Sequence, residues 1–174
     1  ERNVDTSQST KSISHEETFA DDLFELAEIT SEILRMSDAV GKRLRASGFL
    51  AKTVNLKIRL KDFSTFVRSV TLPNPTDSGK VIGREAIRLI DTVDLSIGVR
   101  LIGVGASKFT ENNTGLQLSF DELESHDREW REAEDAMDSI RSRFGPDSIG
   151  AASTLTNEGV STKKRGAQQW GPSK

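Results

Sequence analysis

The sequence predicts an α+β domain: a four-stranded antiparallel sheet with two helices on one face, in the order β-α-β-β-α-β, plus a partly helical or disordered C-terminal tail. The stretch TVNLKIRLKD, residues 53–62, alternates apolar and polar residues without a break, which is typical of a half-buried strand. Segments with apolar residues at helical spacing lie on either side of the central strands. Since two helices cover only one face of such a sheet, the other face is open.

The first half of the pattern is a strand followed by a long helix. Residues 11–19, KSISHEETF, form a short strand, and a turn begins near Asp21. A helix is predicted from about Asp22 to Ser47, with Gly48 just beyond it. Its charges suit the helix dipole: Asp21, Asp22 and Glu25 in the first turn, and Lys42, Arg43 and Arg45 in the last.

The second half begins with strands at about 52–61 and 64–72, which lie so close in sequence that they form a hairpin. The loop PNPTDSG follows, with Asp77 or Ser78 as the N-cap of a helix that ends near Asp91. GVRLIGVG, at about 98–105, is the last strand. The GVGAS stretch within and after it is a weak match to a phosphate cradle, and a strand leaving the sheet is the better interpretation.

The chain divides into five regions. Residues 1–10 are a linker, 11–110 the domain, 111–121 a short apolar island, 122–149 an amphipathic tail helix and 150–174 a disordered tail. The tail helix has an apolar stripe made of Trp130, Ala133, Met137, Ile140 and Phe144. That stripe could dock on its own domain or in a partner's groove, and partial disorder is the third alternative.

Composition excludes several classes of protein. There is no cysteine, so disulfides and thiolate metal sites are excluded and a reducing compartment is favoured. The first ten residues are polar, unlike a signal peptide, and no apolar run approaches the ~20 residues that cross a bilayer. We expect an intracellular, cytoplasmic protein with no membrane partner.

Positive charge is concentrated in one part of the chain, although the formal net charge is −3. Between residues 42 and 68 a single acidic residue, Asp62, accompanies eight basic ones: Lys42, Arg43, Arg45, Lys52, Lys57, Arg59, Lys61 and Arg68. This band is typical of a surface for a polyanion, and it is equally compatible with a solvated strand face.

Three stretches carry a resemblance to a known family. KSISHEETF, RLRASGFLAKTVNLKIRLKDFSTFVRSVTL and VRLIGVGASKF resemble successive parts of the little finger, or polymerase-associated, domain of Y-family DNA polymerases, especially the bacterial DNA polymerase IV branch. The resemblance covers residues 11–109. QLSF resembles the family's sliding-clamp peptide, Gln-Leu-x-Leu-Phe, shortened by one residue. MDSIRSRFGPDSI is similar to a tail element of longer bacterial members.

The resemblance implies a DNA-binding domain that grips the template–primer duplex of a translesion polymerase and tethers the enzyme to the bacterial sliding clamp (the beta subunit). The residues implied to contact DNA are Lys11, Ser12, Ser14, His15, Lys57, Arg59, Arg68, Ser69, Thr71 and Arg100. The residues implied to contact the clamp are Gln117, Leu118 and Phe120. Val67 and Val70 depart from the family's usual threonine and arginine.

The parent chain would be a DNA-directed DNA polymerase, a nucleotidyltransferase, in the bacterial cytoplasm at the nucleoid. This fragment lacks the palm carboxylates, so no catalytic residue, metal ligand or cofactor is expected in it, and Mg²⁺ belongs to the absent catalytic part. Capping explains the paired Asp21 and Asp22 better than a metal does, and the HEE stretch beginning at His15 lacks a second histidine at helical spacing. We expect a monomer.

The alternative function is a protein-interaction module that docks on the sliding clamp or another replication or repair partner, with DNA binding secondary. The acidic tail favours this alternative, since it opposes DNA binding at long range. Salt dependence separates the two functions, because phosphate contacts weaken steeply with salt.

Overall fold

The computed structural model describes residues 10–111, 122–146 and 148–150 and the dipeptides 155–156 and 159–160. Its elements are β1 (Ser12–Leu23), α1 (Leu26–Ser47), β2 (Phe49–Leu60), β3 (Thr65–Thr76), α2 (Gly79–Ile90), β4 (Val99–Glu111), α3 (Glu122–Phe144), β5 (Leu155–Thr156) and β6 (Gly159–Val160). The predicted α+β fold and its β-α-β-β-α-β order are confirmed. Within this described part, every helix is too short or too polar to cross a membrane.

The four long strands pair antiparallel in the order β1-β4-β2-β3. A short turn joins β2 to β3, as the hairpin prediction required, and within it Phe63 adopts a positive φ of 67°. β4 is the last strand of the sheet in sequence, yet it lies between β1 and β2. Residues 101–106 of β4 are accordingly all buried.

The hydrophobic core lies between one face of the sheet and the helices α1 and α2. Each element supplies an apolar stripe at its own period, three or four residues apart in the helices and two apart in the strands. The fully or nearly buried members include Ile29, Ile33, Met36, Val40 and Leu44 of α1, Val54, Leu56, Ile58 and Leu60 of β2, Ile82, Ala86 and Ile90 of α2, and Ile102, Val104 and Ala106 of β4.

Two glycines allow α1 and α2 to approach each other at backbone contact. A Cβ on Gly41 would lie 2.6 Å from the Gly79 nitrogen and 2.9 Å from the Asp77 carbonyl oxygen. A Cβ on Gly79 would lie 2.8 Å from the Asp38 Cα. Since backbone atoms cannot rotate aside as a side chain can, these glycines fix where the N-terminus of α2 meets α1.

The start of α1 differs from the prediction. β1 extends to Leu23, which pairs with Val99, so Asp21 and Asp22 lie in a strand and the capping role predicted for them is wrong. α1 begins after Glu25, which makes no side-chain capping hydrogen bond. Its C-terminus matches the prediction, because Gly48 follows it in the left-handed conformation with φ 67°.

The later strands are also longer than predicted. β3 continues past Pro73 and Pro75 to Thr76, which an edge strand tolerates because one row of its N–H groups has no ladder partner. β4 runs to Glu111, so GVGAS lies inside the sheet, and the prediction that the strand leaves the sheet there is wrong. α2 begins as predicted, with the Ser78 side chain accepting a hydrogen bond from the Val81 N–H.

α3 docks on the ends of α1 and α2 through charged side chains. Glu134 is only 2% exposed, and its carboxylate accepts hydrogen bonds from Arg45 at 3.0 Å, Ser78 Oγ at 3.2 Å and the Lys80 backbone N–H at 3.1 Å. Arg45 also donates to Asp138 at 2.8 Å. Burial raises the pKa of Glu134, and the Arg45 guanidinium opposes that rise.

Further ion pairs extend this contact along α3. Arg131 meets Asp77 at 2.7 Å, and Arg141 meets Asp38 at 2.8 Å. The Lys80 ammonium lies 4.1 Å from the centre of the Trp130 ring. Polar side chains therefore carry much of the docking that the sequence ascribed to an apolar stripe.

The predicted apolar stripe of α3 is only partly covered. Trp130, Met137 and Ile140 are half-buried, whereas Ala133 and Phe144 are exposed. α3 thus docks on its own domain, one of the three alternatives open from the sequence. Within the predicted tail at 150–174, the dipeptides β5 and β6 pair with each other. The rest of that tail beyond residue 150, the linker at residues 1–9 and the Gln117–Phe120 peptide lie outside the described residues.

Candidate nucleic-acid interface

The sheet face that α1 and α2 leave uncovered is a grid of side chains in register. Alternate residues of β2, such as Leu56 and Ile58, are buried under the helices, so the residues between them face outward. Strand pairing arranges the outward residues in four rows, which together we call the open face: Ser12–Ser107–Thr53–Thr71, Ser14–Gly105–Asn55–Ser69, Glu16–Gly103–Lys57–Val67 and Thr18–Leu101–Arg59–Thr65.

Short hydroxyl and amide side chains make up most of the open face. Some of these side chains form hydrogen bonds with each other across neighbouring strands. Asn55 Nδ2, for example, donates to Ser107 Oγ at 3.1 Å. A hydroxyl keeps a rotatable proton, which it can donate to a phosphate oxygen. Gly103 and Gly105 place no side chain of β4 in the middle of the grid, and neighbouring side chains of β1, Glu16 and Ser14, lie beside the space they leave.

Two cations stand on the open face, and each already has a protein partner. The Lys57 ammonium lies 2.8 and 3.0 Å from the two carboxylate oxygens of Glu16. Arg59 Nε donates to Thr65 Oγ1 at 3.0 Å. A guanidinium presents further N–H groups in a fork that suits phosphate, so Arg59 is the stronger candidate for a bidentate contact.

The structure brings most of the residues implied to contact DNA to one surface. The open face contains Ser12, Ser14, Lys57, Arg59, Ser69 and Thr71. Lys11 is exposed and directly precedes β1. Direct contact with DNA remains a prediction for all of them.

Two of the implied residues lie on the other face. His15 pairs with the core residue Val104, and its ring contacts Arg43 of α1 at 3.2 Å. Burial, followed by the charges of Arg35 and Arg43, lowers the pKa of His15, which makes it a poorer source of positive charge than an ordinary histidine. Arg68 pairs with Leu56 and donates to Thr92 at 3.2 Å.

Arg68 lies on an edge strand, so it could reach DNA only around the side of the sheet. Arg100 lies at a register irregularity where β4 begins, outside the four rows. Its guanidinium stacks 5.2 Å from the centre of the Phe63 ring and lies 3.8 Å from Asp22. Arg100 could therefore extend the open face only at its β2–β3 turn end.

Several members of the open face were not among the residues implied to contact DNA: Glu16, Thr18, Thr53, Asn55, Thr65 and Ser107. Alternation within single strands could have found some of them, since Ser12, Ser14, Glu16 and Thr18 recur every second residue of β1. Their arrangement in rows depends on the register between strands, which alternation alone does not give.

A four-stranded sheet with two helices on one face and small polar side chains on the other defines a class of domain, and comparison with known protein families shows which class it is. The model of the impB/mucB/samB family C-terminal domain matches residues 10–120. Because that match covers more than half of the chain, the chain belongs to this family. The resemblance to the little finger domain of Y-family polymerases is confirmed.

Particular relatives are named DNA polymerase IV. The chain is 42% identical over 127 residues to that of Streptomyces coelicolor, a match covering 71% of this chain and 26% of the relative. It is 32% identical over 145 residues to that of Caulobacter vibrioides, covering 83% and 35% respectively. The chain thus spans about a quarter to a third of these relatives.

One similar solved structure is described as a complex of the beta-clamp processivity factor and the little finger domain of PolIV. It shares 21% identity with this chain at a TM-score of 0.48 and covers 62% of this chain and 99% of its own.

Proposed function

We propose that this chain is the duplex-holding domain of a DNA polymerase IV-type translesion polymerase, and that its open face lies against the template–primer backbone. The observation that carries the proposal is the open face itself: four rows of mainly small hydrogen-bonding side chains, with Lys57 and Arg59 in adjacent rows. Contacts of this kind go to phosphates and sugars, so they hold a duplex without selecting its sequence.

Catalysis would reside in modules outside this chain, where Mg²⁺ would bind to acidic residues. Within the described residues, no group of three or more histidine, aspartate or glutamate side chains is placed to hold a metal ion. This domain would thus position the duplex while the rest of the enzyme performs nucleotidyl transfer. We propose that the domain is a monomer in the bacterial cytoplasm, at the nucleoid.

Arg59→Gln tests the open face directly. Binding of a labelled duplex would be followed by fluorescence anisotropy at ~50 and ~200 mM salt. We expect about tenfold weaker binding at the lower salt, from loss of one charge-assisted contact, and a salt slope reduced by about 0.9. The matched control is Arg88→Gln on α2, whose side chain is 67% exposed on the helix side of the sheet.

Equal losses in Arg59→Gln and Arg88→Gln would contradict the proposal, because they would show attraction to total charge only. A duplex affinity that does not change with salt would contradict it as well, because phosphate contacts release counterions.

We further propose that Gln117, Leu118 and Phe120 attach the domain to the bacterial sliding clamp. The support is the LQLSF stretch itself, in which a glutamine precedes two apolar anchors. Clamp binding should disappear in Gln117→Ala/Phe120→Ala and survive in Gln169→Ala/Trp170→Ala, a matched glutamine and aromatic pair in the tail. Because apolar anchoring is little screened by salt, clamp affinity should change little between ~50 and ~200 mM. Clamp binding that survives the first double substitution would refute the assignment.

A further inference from the structure

Glu16 brings a carboxylate to the open face. In its row Glu16 of β1 lies beside Gly103 of β4, and Gly103 lies beside Lys57 of β2. The Glu16 side chain crosses β4 and receives the Lys57 ammonium with both oxygens, at 2.8 and 3.0 Å. Among the four described rows, Glu16 is the only carboxylate.

This ion pair depends on a gap in the middle of the sheet. A Cβ on Gly103 would lie 3.2 Å from Glu16 Oε2 and 3.3 Å from its Cγ. The Glu16 side chain therefore lies flat on the β4 backbone, in the space that any other residue at position 103 would occupy. The glycine gives the carboxylate a short path to Lys57 while keeping it on the surface.

The pair remains in contact with solvent, so its two members can separate. The side chains of Lys57 and Glu16 are 34% and 43% exposed. An exposed ion pair contributes at most about 1 kcal/mol, which a phosphate competing for the same ammonium can replace. A phosphate on this row would also approach the negative charge of Glu16, which repels it.

We infer that Glu16 limits the affinity of this domain for duplex DNA by competing with a phosphate for Lys57, an inference that rests on the proposed DNA-binding function. Lys57 exchanges one anionic partner for another when DNA arrives and again when it leaves. When the duplex is released, the Lys57 ammonium returns to Glu16. This lowers the free-energy cost of breaking the Lys57–phosphate contact as the duplex moves along the domain.

The test is Glu16→Gln in the complete chain, with labelled duplex binding measured across a series of salt concentrations. We expect about tenfold tighter binding at low salt and a salt slope steeper by about 0.9, because Lys57 then reaches its phosphate without leaving behind a carboxylate that repels DNA and takes up a cation from solution. In a Lys57→Gln background the gain from Glu16→Gln should shrink to about twofold. That remaining gain comes from removing the repulsion between the Glu16 carboxylate and the phosphates.

Glu85→Gln is the matched control. Glu85 of α2 pairs with two exposed arginines, Arg88 at 3.0 Å and Arg84 at 3.2 Å, so the substitution makes the same change in net charge and also breaks ion pairs, away from the open face. Its duplex affinity should equal that of the unchanged chain. Circular dichroism and a thermal midpoint would confirm that each variant is folded.

Three results would overturn the inference alone. Weaker binding by Glu16→Gln would mean that Glu16 positions Lys57 for DNA, and an equal gain in Glu85→Gln would mean that only net charge matters. If neither the unchanged chain nor Glu16→Gln binds duplex at low salt, the proposed function fails and the inference fails with it. Equal, measurable binding by both refutes the inference and leaves the proposed function intact.

Discussion

The docking of α3 depends on Glu134, and its removal should release the helix from the domain. Glu134→Ala deletes the acceptor of three hydrogen bonds, from Arg45, Ser78 and Lys80. A net ~1 kcal/mol for each bond predicts a loss of about 3 kcal/mol in docking free energy. Arg45 keeps Asp138 as a partner, so the loss should stay below the full cost of an unpaired buried charge.

Trp130 supplies the assay, since its ring lies against the Lys80 ammonium in the docked state. The only other tryptophan is Trp170, so Trp170→Phe gives a chain with a single fluorophore. Release of α3 should shift Trp130 emission towards that of a solvated indole. Amide hydrogen exchange along α3 should accelerate by a factor of about 100, the equivalent of about 3 kcal/mol.

Two further variants separate hydrogen bonding from charge and from helix propensity. Glu132→Ala makes the same substitution at an exposed position of α3 and should leave exchange and emission unchanged. Glu134→Gln keeps an acceptor for Ser78 and Lys80 but sets an amide against Arg45, so we expect a smaller loss of about 1 kcal/mol. If Glu134→Ala exchanges as slowly as Glu132→Ala, the polar network does not hold α3 and the reasoning is wrong.

The remaining predictions concern packing and pH. Gly41→Ala should lower the free energy of unfolding in urea by about 2 kcal/mol, because the new Cβ meets the backbone of Gly79 and overpacking outweighs the gain in helix propensity. The pKa of His15 is lower in the folded chain than in the unfolded chain, so as the pH falls the unfolded chain binds a proton before the folded one does. The contribution of His15 to the free energy of unfolding is therefore fully present above the ordinary pKa near 6.5 and is lost as the pH falls below it. The difference in unfolding free energy between pH 7.5 and 5.5 should therefore be smaller in His15→Gln.

Controls exist for both of these predictions. Gly83→Ala makes the same change in a helix, but its Cβ would crowd only the end of the Leu34 side chain, at 2.9 Å, which can move, and would lie at ordinary contact distance, 3.4 Å, from Ser37 Cβ. If Gly83→Ala costs as much as Gly41→Ala, backbone contact between the helices is not the cause. For the pH prediction, an identical decline with and without His15 would assign the effect to other groups.

The sequence predicted the order of elements because each one shows its own period. Alternation in β2, the stripe of α1 and the cap at Ser78 are local signals, and burial of the apolar side agrees with each. The prediction for Asp21 and Asp22 was wrong because acidic residues before an apolar stripe occur both at the start of a helix and at the end of a strand. These two aspartates lie in a strand because Leu23, just after them, pairs with Val99, about 75 residues later in the chain.

The candidate site was less predictable because it is made of neighbours from different strands. Lys57 and Arg59 follow from alternation, but the pairing of Lys57 with Glu16 across Gly103 requires the β1–β4 and β2–β4 registers together. The docking of α3 was hidden for another reason. Its buried face includes Glu134 and Arg141, residue types that a sequence pattern assigns to solvent.

The place of β4 determines when, during synthesis, this domain can take shape. β1 is made first but pairs only with β4 within the described sheet, so it must wait for a strand encoded about 90 residues downstream. Such distant pairing slows folding, because closing a long loop costs entropy before any contact between the strands stabilises the chain. Each row of the open face takes its residues from all four strands. A nascent chain that stops short of β4 would possess β1, β2 and β3 and still have no open face at all.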